Sequence, residues 1–166
     1  MKLAKLKAER TVTLVTMALG NQTLALPTMY LREILDPLPA TRVPGAGPFV
    51  PQVVNVRGAV VPQANLKVAF GIPADSTDPG LTADRRRILV LELQIDGENA
   101  MVAIEADAVH EVATIETERL ETVPAAASEW PPEYLTGLYR GQDGFVLLPD
   151  LPAIFSAQVT RPAAVS

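Results

Sequence analysis

Three pairs of apolar runs separated by short turn sequences constrain the fold more than any other feature of this chain. In each pair the runs flank a dipeptide that contains glycine: Gly20-Asn21 between residues 11–19 and 23–26, Asp96-Gly97 between 87–95 and 100–104, and Asp143-Gly144 between 138–140 and 145–148. Glycine, asparagine and aspartate tolerate the positive φ of a tight turn, so each pair predicts a β-hairpin. Three hairpins predict an all-β fold of small closed or nearly closed barrels.

Proline positions and local composition predict how the elements are connected. Five of the 15 prolines interrupt residues 36–51, which are therefore expected to form a loop or a sheet edge, because proline cannot donate a backbone hydrogen bond. Residues 73–83 are rich in Asp, Ser, Thr, Pro and Gly and are the best candidate for a connection between two halves. Short helices are predicted near Thr28 and from Asp150, a good N-cap residue. One domain is expected over residues 11–156, with flexible tails at 1–10 and 157–166.

The charge balance and the absence of cysteine exclude several classes of protein. The 166 residues include 14 basic and 19 acidic residues, a formal net charge of −5, which disfavours binding to a nucleic-acid backbone. Without cysteine there is no disulfide framework and no thiolate metal site. No apolar run approaches the ~20 residues that span a bilayer. We therefore expect a cytoplasmic protein without direct membrane insertion, reaching any membrane through partners.

The motifs that carry catalysis are missing from the sequence. His110 is the single histidine, no serine lies in a Gly-x-Ser-x-Gly setting, and no glycine-rich loop of a nucleotide site is present. These observations predict no enzyme, no cofactor and no metal site. The acidic residues between Glu105 and Glu111 leave one alternative open, a small β-barrel enzyme or ligand-binding protein.

Residues 53–71 differ from the rest of the chain. An apolar run leads into Asn55-Val56-Arg57-Gly58, and a second run leaves this turn and stops at Pro62. A turn between two buried strands holds a guanidinium at the surface, where its planar fork suits a carboxylate. The residues alone also fit an ordinary polar hairpin tip.

The same segment resembles the signature stretch of the CheW family. The pattern matches at eight positions: Val53, Asn55, Arg57, Gly58, Val60, Val61, Pro62 and Leu66. Further stretches resemble the family in the same order: residues 31–34, 41–43, 49–50, 107–112, 133–138 and 148–151. The sequence departs from the family pattern at Gln52, at Asn65 and Lys67, where Asp and Arg are usual, and at Ala108, where Gly is usual.

The resemblance implies two SH3-like five-stranded β-barrels packed together and a non-enzymatic adaptor function. Such adaptors couple chemoreceptor signalling tips to the regulatory domain of the CheA histidine kinase. Carried over from the family, the partner-binding residues are Glu33, Asn55, Val56, Arg57, Gly58, Val60, Pro62 and Asn65, and an interaction between Glu33 and Arg57 is expected. The alternative within the same fold is a divergent adaptor of a pilus, developmental or other non-chemotaxis pathway.

Overall fold

The three predicted hairpins are present in the computed structural model, which describes residues 2–124 and 130–159. They are formed by β1 (Thr11–Leu19) with β2 (Gln22–Pro27), β7 (Arg87–Ile95) with β8 (Glu98–Ala106), and β10 (Leu135–Gly141) with β11 (Gly144–Pro149). A fourth hairpin joins β5 (Gln52–Val56) to β6 (Ala59–Ala64). The mostly β architecture is therefore confirmed, and its hairpins come from local turn chemistry.

The strands form two sheets with the same internal plan. The first has the order β10-β11-β2-β1-β9, where β9 is Ala108–Glu116, and the second has the order β3-β7-β8-β6-β5-β4, where β3 is Leu31–Leu35 and β4 is Ala40–Arg42. In each sheet a short parallel pairing joins two hairpins: β11 with β2 in the first, and β6 with β8 in the second. The second sheet has six strands instead of the five expected, because β4 forms within the proline-rich stretch and lies at the sheet edge, as that composition allows.

A short helix follows the equivalent strand in each sheet. α2 (Leu66–Phe70) follows β6, and α3 (Leu151–Val159) follows β11. Both helices bury residues at positions i, i+3 and i+4: Leu66, Ala69 and Phe70 in α2, and Leu151, Ile154 and Phe155 in α3. This spacing places the three side chains on one helix face. As predicted, Asp150 caps α3, since its Oδ1 accepts a hydrogen bond from the Ala153 amide at 3.2 Å.

Three groups of buried apolar residues hold the sheets together. The first-sheet core includes Leu14, Ala25, Tyr139 and Leu148, the second-sheet core includes Val54, Val56, Ile88 and Val90, and the shared core between the sheets includes Met17, Leu26, Leu89, Leu91, Leu93 and Phe155. Successive residues of strand β7 point into different cores. Ile88 and Val90 lie in the second-sheet core, and Leu89 and Leu91 lie in the shared core. Successive side chains of a strand point to opposite faces, so a strand buried on both faces reads as a continuous apolar run.

The chain passes between the sheets at two places. One is a single 3₁₀ turn, Thr28–Tyr30, between β2 and β3, and the other is Asp107 between β8 and β9. The predicted connection, residues 73–83, lies between α2 and β7, and the strands on either side of it, β6 and β7, both belong to the second sheet. Its composition indicates a surface loop, but composition carries no information on which sheets a loop joins.

Parts of both predicted tails lie in helices of the described chain. A helix, α1 (Leu3–Lys7), lies within residues 1–10, and its Leu6 is buried in the first-sheet core. The hydroxyl of Thr117 also donates to the Glu9 carbonyl at 2.6 Å. At the other end α3 continues to Val159, whereas residues 160–166 lie outside the described residues. Apolar residues spaced along a short basic segment are too weak a pattern to predict docking on a distant sheet.

Substitution of Leu91 tests how much the shared core contributes to stability. Its side chain is fully buried, so Leu91→Ala should lower the free energy of unfolding by about 2–5 kcal/mol, measured by urea titration, because it leaves a cavity. Val112→Ala is the matched control on β9, where the side chain is 61% exposed, and should change stability by less than about 0.5 kcal/mol. Equal effects of the two substitutions would contradict the assignment of Leu91 to a packed core.

Candidate functional site

The turn between β5 and β6 holds Arg57 in an unusual backbone conformation. Arg57 has a φ of +52° and Gly58 a φ of +86°. Two central residues with positive φ are typical of a type I′ turn, but a non-glycine residue pays about 1–2 kcal/mol for this conformation. The side chain of Asn55 supports the turn, because its Oδ1 accepts a hydrogen bond from the Gly58 amide at 2.8 Å. The hairpin tip is therefore fixed in its shape.

The guanidinium of Arg57 pairs with the carboxylate of Glu33 on β3. Its Nε lies 3.1 Å from Oε1 and 3.2 Å from Oε2, and its Nη2 also contacts Oε1. Glu33 lies on β3, at one edge of the second sheet, whereas the β5–β6 turn lies in the other half of the strand order, next to the edge strand β4. The sheet therefore curls on itself, and its interior holds the second-sheet core, to which β3, β5, β6, β7 and β8 all contribute. The ion pair joins the edge strand β3 to the β5–β6 hairpin across this curled sheet.

The pair shifts the ionisation of both groups. The hydrogen bonds from Arg57 are the largest influence and hold the pKa of Glu33 below its ordinary value. Burial opposes them, and the charge of Arg57 adds a smaller lowering effect. The same hydrogen bonds and the charge of Glu33 raise the pKa of Arg57. Arg57 remains 77% exposed in its side chain and Glu33 24% exposed. Because exposed ion pairs contribute little to stability, the pair mainly orients the guanidinium.

The outer face of this hairpin places polar and apolar groups side by side. Asn55 lies opposite Val60, and Val53 lies opposite Pro62, in the antiparallel register of the two strands. Val60 is 72% exposed, a high value for a large apolar side chain. The face therefore combines an amide, an exposed apolar residue and the neighbouring guanidinium, a set of groups suited to a protein surface that is partly apolar and partly acidic.

The predicted site residues divide into two groups. Six of them lie at the surface around the hairpin and form what we call the hairpin surface: Glu33, Asn55, Arg57, Gly58, Val60 and Pro62. Val56 is instead buried in the second-sheet core, and Asn65 caps α2, its Oδ1 accepting from the Lys67 amide at 3.0 Å. Their side chains therefore support the hairpin and the helix rather than extend the exposed face.

A second ion pair on β3 was not predicted from the sequence. Arg32 donates to Glu92 of β7 through both Nε and Nη2, at 2.9 and 2.8 Å. Met101 lies opposite Glu92 on β8 and is 42% exposed. The two partners are 60 residues apart, so only the pairing of β3 with β7 brings them together. No local pattern in the sequence carries that information.

Two of the acidic residues left open as a ligand site, Glu105 and Asp107, are engaged in other contacts. Glu105 lies 3.7 Å from Arg86, and Asp107 pairs with Lys67 at 3.2 Å. His110 is exposed on β9. Within residues 2–124 and 130–159, no three or more acidic, histidine or cysteine side chains are grouped to hold a metal ion. Across the same ranges, none of the helices has the length and apolar character needed to cross a membrane.

The lowered pKa of Glu33 is directly measurable. In a carboxyl NMR titration the Glu33 midpoint should lie below that of an ordinary glutamate, and Arg57→Ala should move it upward because the hydrogen bonds are lost. Since the folded pKa is depressed, the contribution of the pair is present above the unfolded pKa and disappears as the pH falls through the folded pKa. Arg32→Ala is the control and should leave the Glu33 midpoint in place. An unchanged midpoint in Arg57→Ala would show that the pair does not persist in solution.

Comparison with known proteins shows the family to which this chain belongs. Residues 13–159 match the family model of the CheW-like domain. A probable chemotaxis protein CheW of Rhizobium etli is 28% identical over 151 residues, covering 90% of this chain and 91% of the relative. The chemotaxis protein CheW of Klebsiella aerogenes is 26% identical over 140 residues, covering 84% and 79%.

A solved structure confirms the two-part β architecture. The crystal structure of the scaffolding protein TtCheW from Thermoanaerobacter tengcongensis matches with a TM-score of 0.74 over 89% of each chain, at 24% sequence identity. That likeness establishes the fold, and the family model covers nearly all of the described residues. The chain therefore belongs to the CheW-like domain family.

Proposed function

We propose that this protein is a non-catalytic adaptor that couples the cytoplasmic signalling tips of chemoreceptors to the regulatory domain of a CheA histidine kinase. It would act in the cytoplasm, at receptor arrays that its partners hold at the membrane. The observation that carries the proposal is the hairpin surface, where Glu33 orients Arg57 at a turn of fixed shape. Membership of the CheW-like family supports the same role.

The hairpin surface suits an amphipathic receptor helix. Arg57 uses Nε and Nη2 for Glu33, and within the described residues its Nη1 has no acceptor. A carboxylate on a partner can therefore approach the guanidinium without breaking the pair with Glu33. Val60 supplies apolar area that a partner would cover, and Asn55 opposite it supplies an amide. Apolar anchors with a few charged contacts are how helices are recognised in surface grooves.

The rigidity of the turn lowers the conformational entropy that Arg57 would lose on binding a partner. A long charged side chain normally loses conformational freedom when it binds, and this loss weakens binding. Here the pair with Glu33 and the Asn55–Gly58 hydrogen bond order the guanidinium before a partner arrives. The cost of the positive φ at Arg57 falls on folding and not on binding.

Receptor binding tests the role of Arg57. Arg57→Asp should weaken binding to a chemoreceptor signalling fragment by at least about tenfold, because it repels Glu33 and removes the cation. Arg57→Gly should also weaken it while keeping the positive φ that suits glycine. Asp96→Gly is the matched control, since Asp96 occupies the corresponding turn of the β7–β8 hairpin with a φ of +52°. Calorimetric titration supplies the affinities.

Coupling requires both partners, so the same variants are also tested with the kinase. The wild-type protein should bind the CheA regulatory domain and raise kinase activity in the presence of the receptor fragment. Arg57→Asp should bind the kinase domain normally and fail to raise activity with receptor. A protein that binds neither partner from its own genome would refute the proposal. Binding only to a receptor of a pilus-type pathway would keep the adaptor role and assign it to that pathway.

A further inference from the structure

Asp107 anchors the passage from the second sheet to the first. It is the single residue between β8 and β9, and it is buried, with 7% of its surface exposed. Its amide donates to the Ala18 carbonyl at 2.9 Å, and its Oδ2 accepts from the Gly20 amide at 2.8 Å. Backbone and side chain of Asp107 are thus both fixed to the β1–β2 hairpin of the first sheet.

Lys67 of α2, the helix that follows β6 of the second sheet, contacts the same carboxylate. Its Nζ lies 3.2 Å from Asp107 Oδ1, 2.9 Å from the Ser76 carbonyl oxygen and 3.4 Å from that of Ala74. An ammonium group has three hydrogens to donate, and three acceptors surround it here. The side chains of Lys67 and Asp107 are only 11% and 8% exposed. The substitution of the family's usual arginine by Lys67 therefore fits a site built of convergent oxygen atoms.

The loop that supplies these carbonyl groups also packs on the first sheet. A Cβ atom added at Gly20 would lie 2.9 Å from Ile72 Cγ2 and 3.4 Å from Ser76 Oγ, and the φ of Gly20 is +60°. Glycine is therefore favoured at this position, because its positive φ strains other residues and because an added Cβ would press on the Ile72 side chain. The β1–β2 turn, Asp107, Lys67 and residues 72–76 together form what we call the inter-sheet joint.

The inter-sheet joint and the shared core contribute differently to the arrangement of the sheets. Apolar contact is non-directional, so the shared core restricts the angle between the sheets only through the fit of its side chains. Hydrogen bonds need defined distances and angles, and a buried carboxylate left without them carries a high cost. The joint therefore raises the free energy of any angle between the sheets at which Lys67, Asp107 and the Gly20 amide would separate.

We infer that Lys67 and Asp107 are positioning residues that fix the orientation of the second sheet, and with it the hairpin surface, relative to the first sheet. The geometry of the joint carries this inference. Only its consequence for signalling rests on the proposed adaptor function. An adaptor that binds two partners at once needs its two binding surfaces held in a fixed relative orientation. The joint would hold them so by fixing the orientation of the two sheets.

Distance measurements by pulsed EPR test the inference without any partner. Because the chain has no cysteine, Asn99→Cys on β8 and Val112→Cys on β9 give two unique labelling sites, both exposed. These strands meet at Asp107, so the separation of the labels reports the angle between the sheets. Lys67→Met should widen the distance distribution by roughly twofold, since loss of the joint admits more orientations. Lys67→Arg keeps the charge opposite Asp107, and its distribution should stay narrower than that of Lys67→Met.

A double variant guards against misfolding. Lys67→Met alone leaves the Asp107 carboxylate buried without its cation, so its urea midpoint should fall. Lys67→Met with Asp107→Asn leaves no unpaired charge and should recover part of that midpoint while the distribution stays wide. If the midpoints fall but the distributions of both variants match the parent, the pair stabilises the fold without positioning it, and the inference is overturned.

The signalling consequence is tested separately. The double variant should bind the receptor fragment and the kinase regulatory domain with unchanged individual affinities, but should raise kinase activity less when both are present. Unchanged activation by a variant with a widened distribution would overturn the signalling consequence alone. Widened distributions in a protein that binds neither partner would leave the joint established and refute the adaptor proposal instead.

Discussion

Burial of both faces of the central strands is the constraint on which the rest of this structure depends. Strand β7 contributes alternate residues to the second-sheet core and to the shared core, and β1 likewise places Leu14 in the first-sheet core and Val15 in the shared core. Neither sheet can therefore complete its own packing while the other is absent. The two helices α2 and α3 close the shared core with matching apolar triplets. Val54 and Val56 of β5 pack in the second-sheet core together with Ile88 and Val90 of β7. The position of the hairpin surface therefore depends on the packing of β7.

Two ion pairs of the same chemistry serve different purposes because their solvation differs. Glu33 and Arg57 remain in contact with water, so their attraction is screened and adds little to stability, but it orders a side chain available for binding. Lys67 and Asp107 are withdrawn from water, so any arrangement that separates them is costly. The first pair prepares a surface for a partner, and the second restricts the geometry inside the molecule.

The sequence predicted the hairpins well because a hairpin depends on a few adjacent residues. Asp96-Gly97 adopts the positive φ values that its turn requires, and Asp150 caps α3 as expected. The passage between sheets at Asp107 was not predicted, because strand order depends on contacts between residues far apart in the chain. The same reason explains why the docking of α1 and the Arg32–Glu92 pair were missed.

The candidate site shows the same division between local and distant information. The Asn55–Gly58 turn could be predicted from its residues, whereas the partner of Arg57 came only from the family resemblance. Their side chains meet because the second sheet curls until β3 approaches the β5–β6 turn. In the sequence Lys67 is a departure from the usual arginine of the family pattern. Its three oxygen neighbours depend on where the loop after α2 lies, which no local pattern predicts.

The insertion of the second sheet into the first has a consequence for the order of folding. The hydroxyl groups of Thr13 and Thr114 are in contact although they are 101 residues apart, whereas all strands of the second sheet lie between β2 and β9. A ribosome therefore releases the whole second sheet before it releases β9, β10 and β11. Until then the β1–β2 hairpin lacks β9 and β11, the strands that flank it in the first sheet. Closing so long a loop is entropically costly until the intervening segment has become compact. Folding of the second sheet thus lowers the entropic cost of pairing β9 with β1 and β11 with β2.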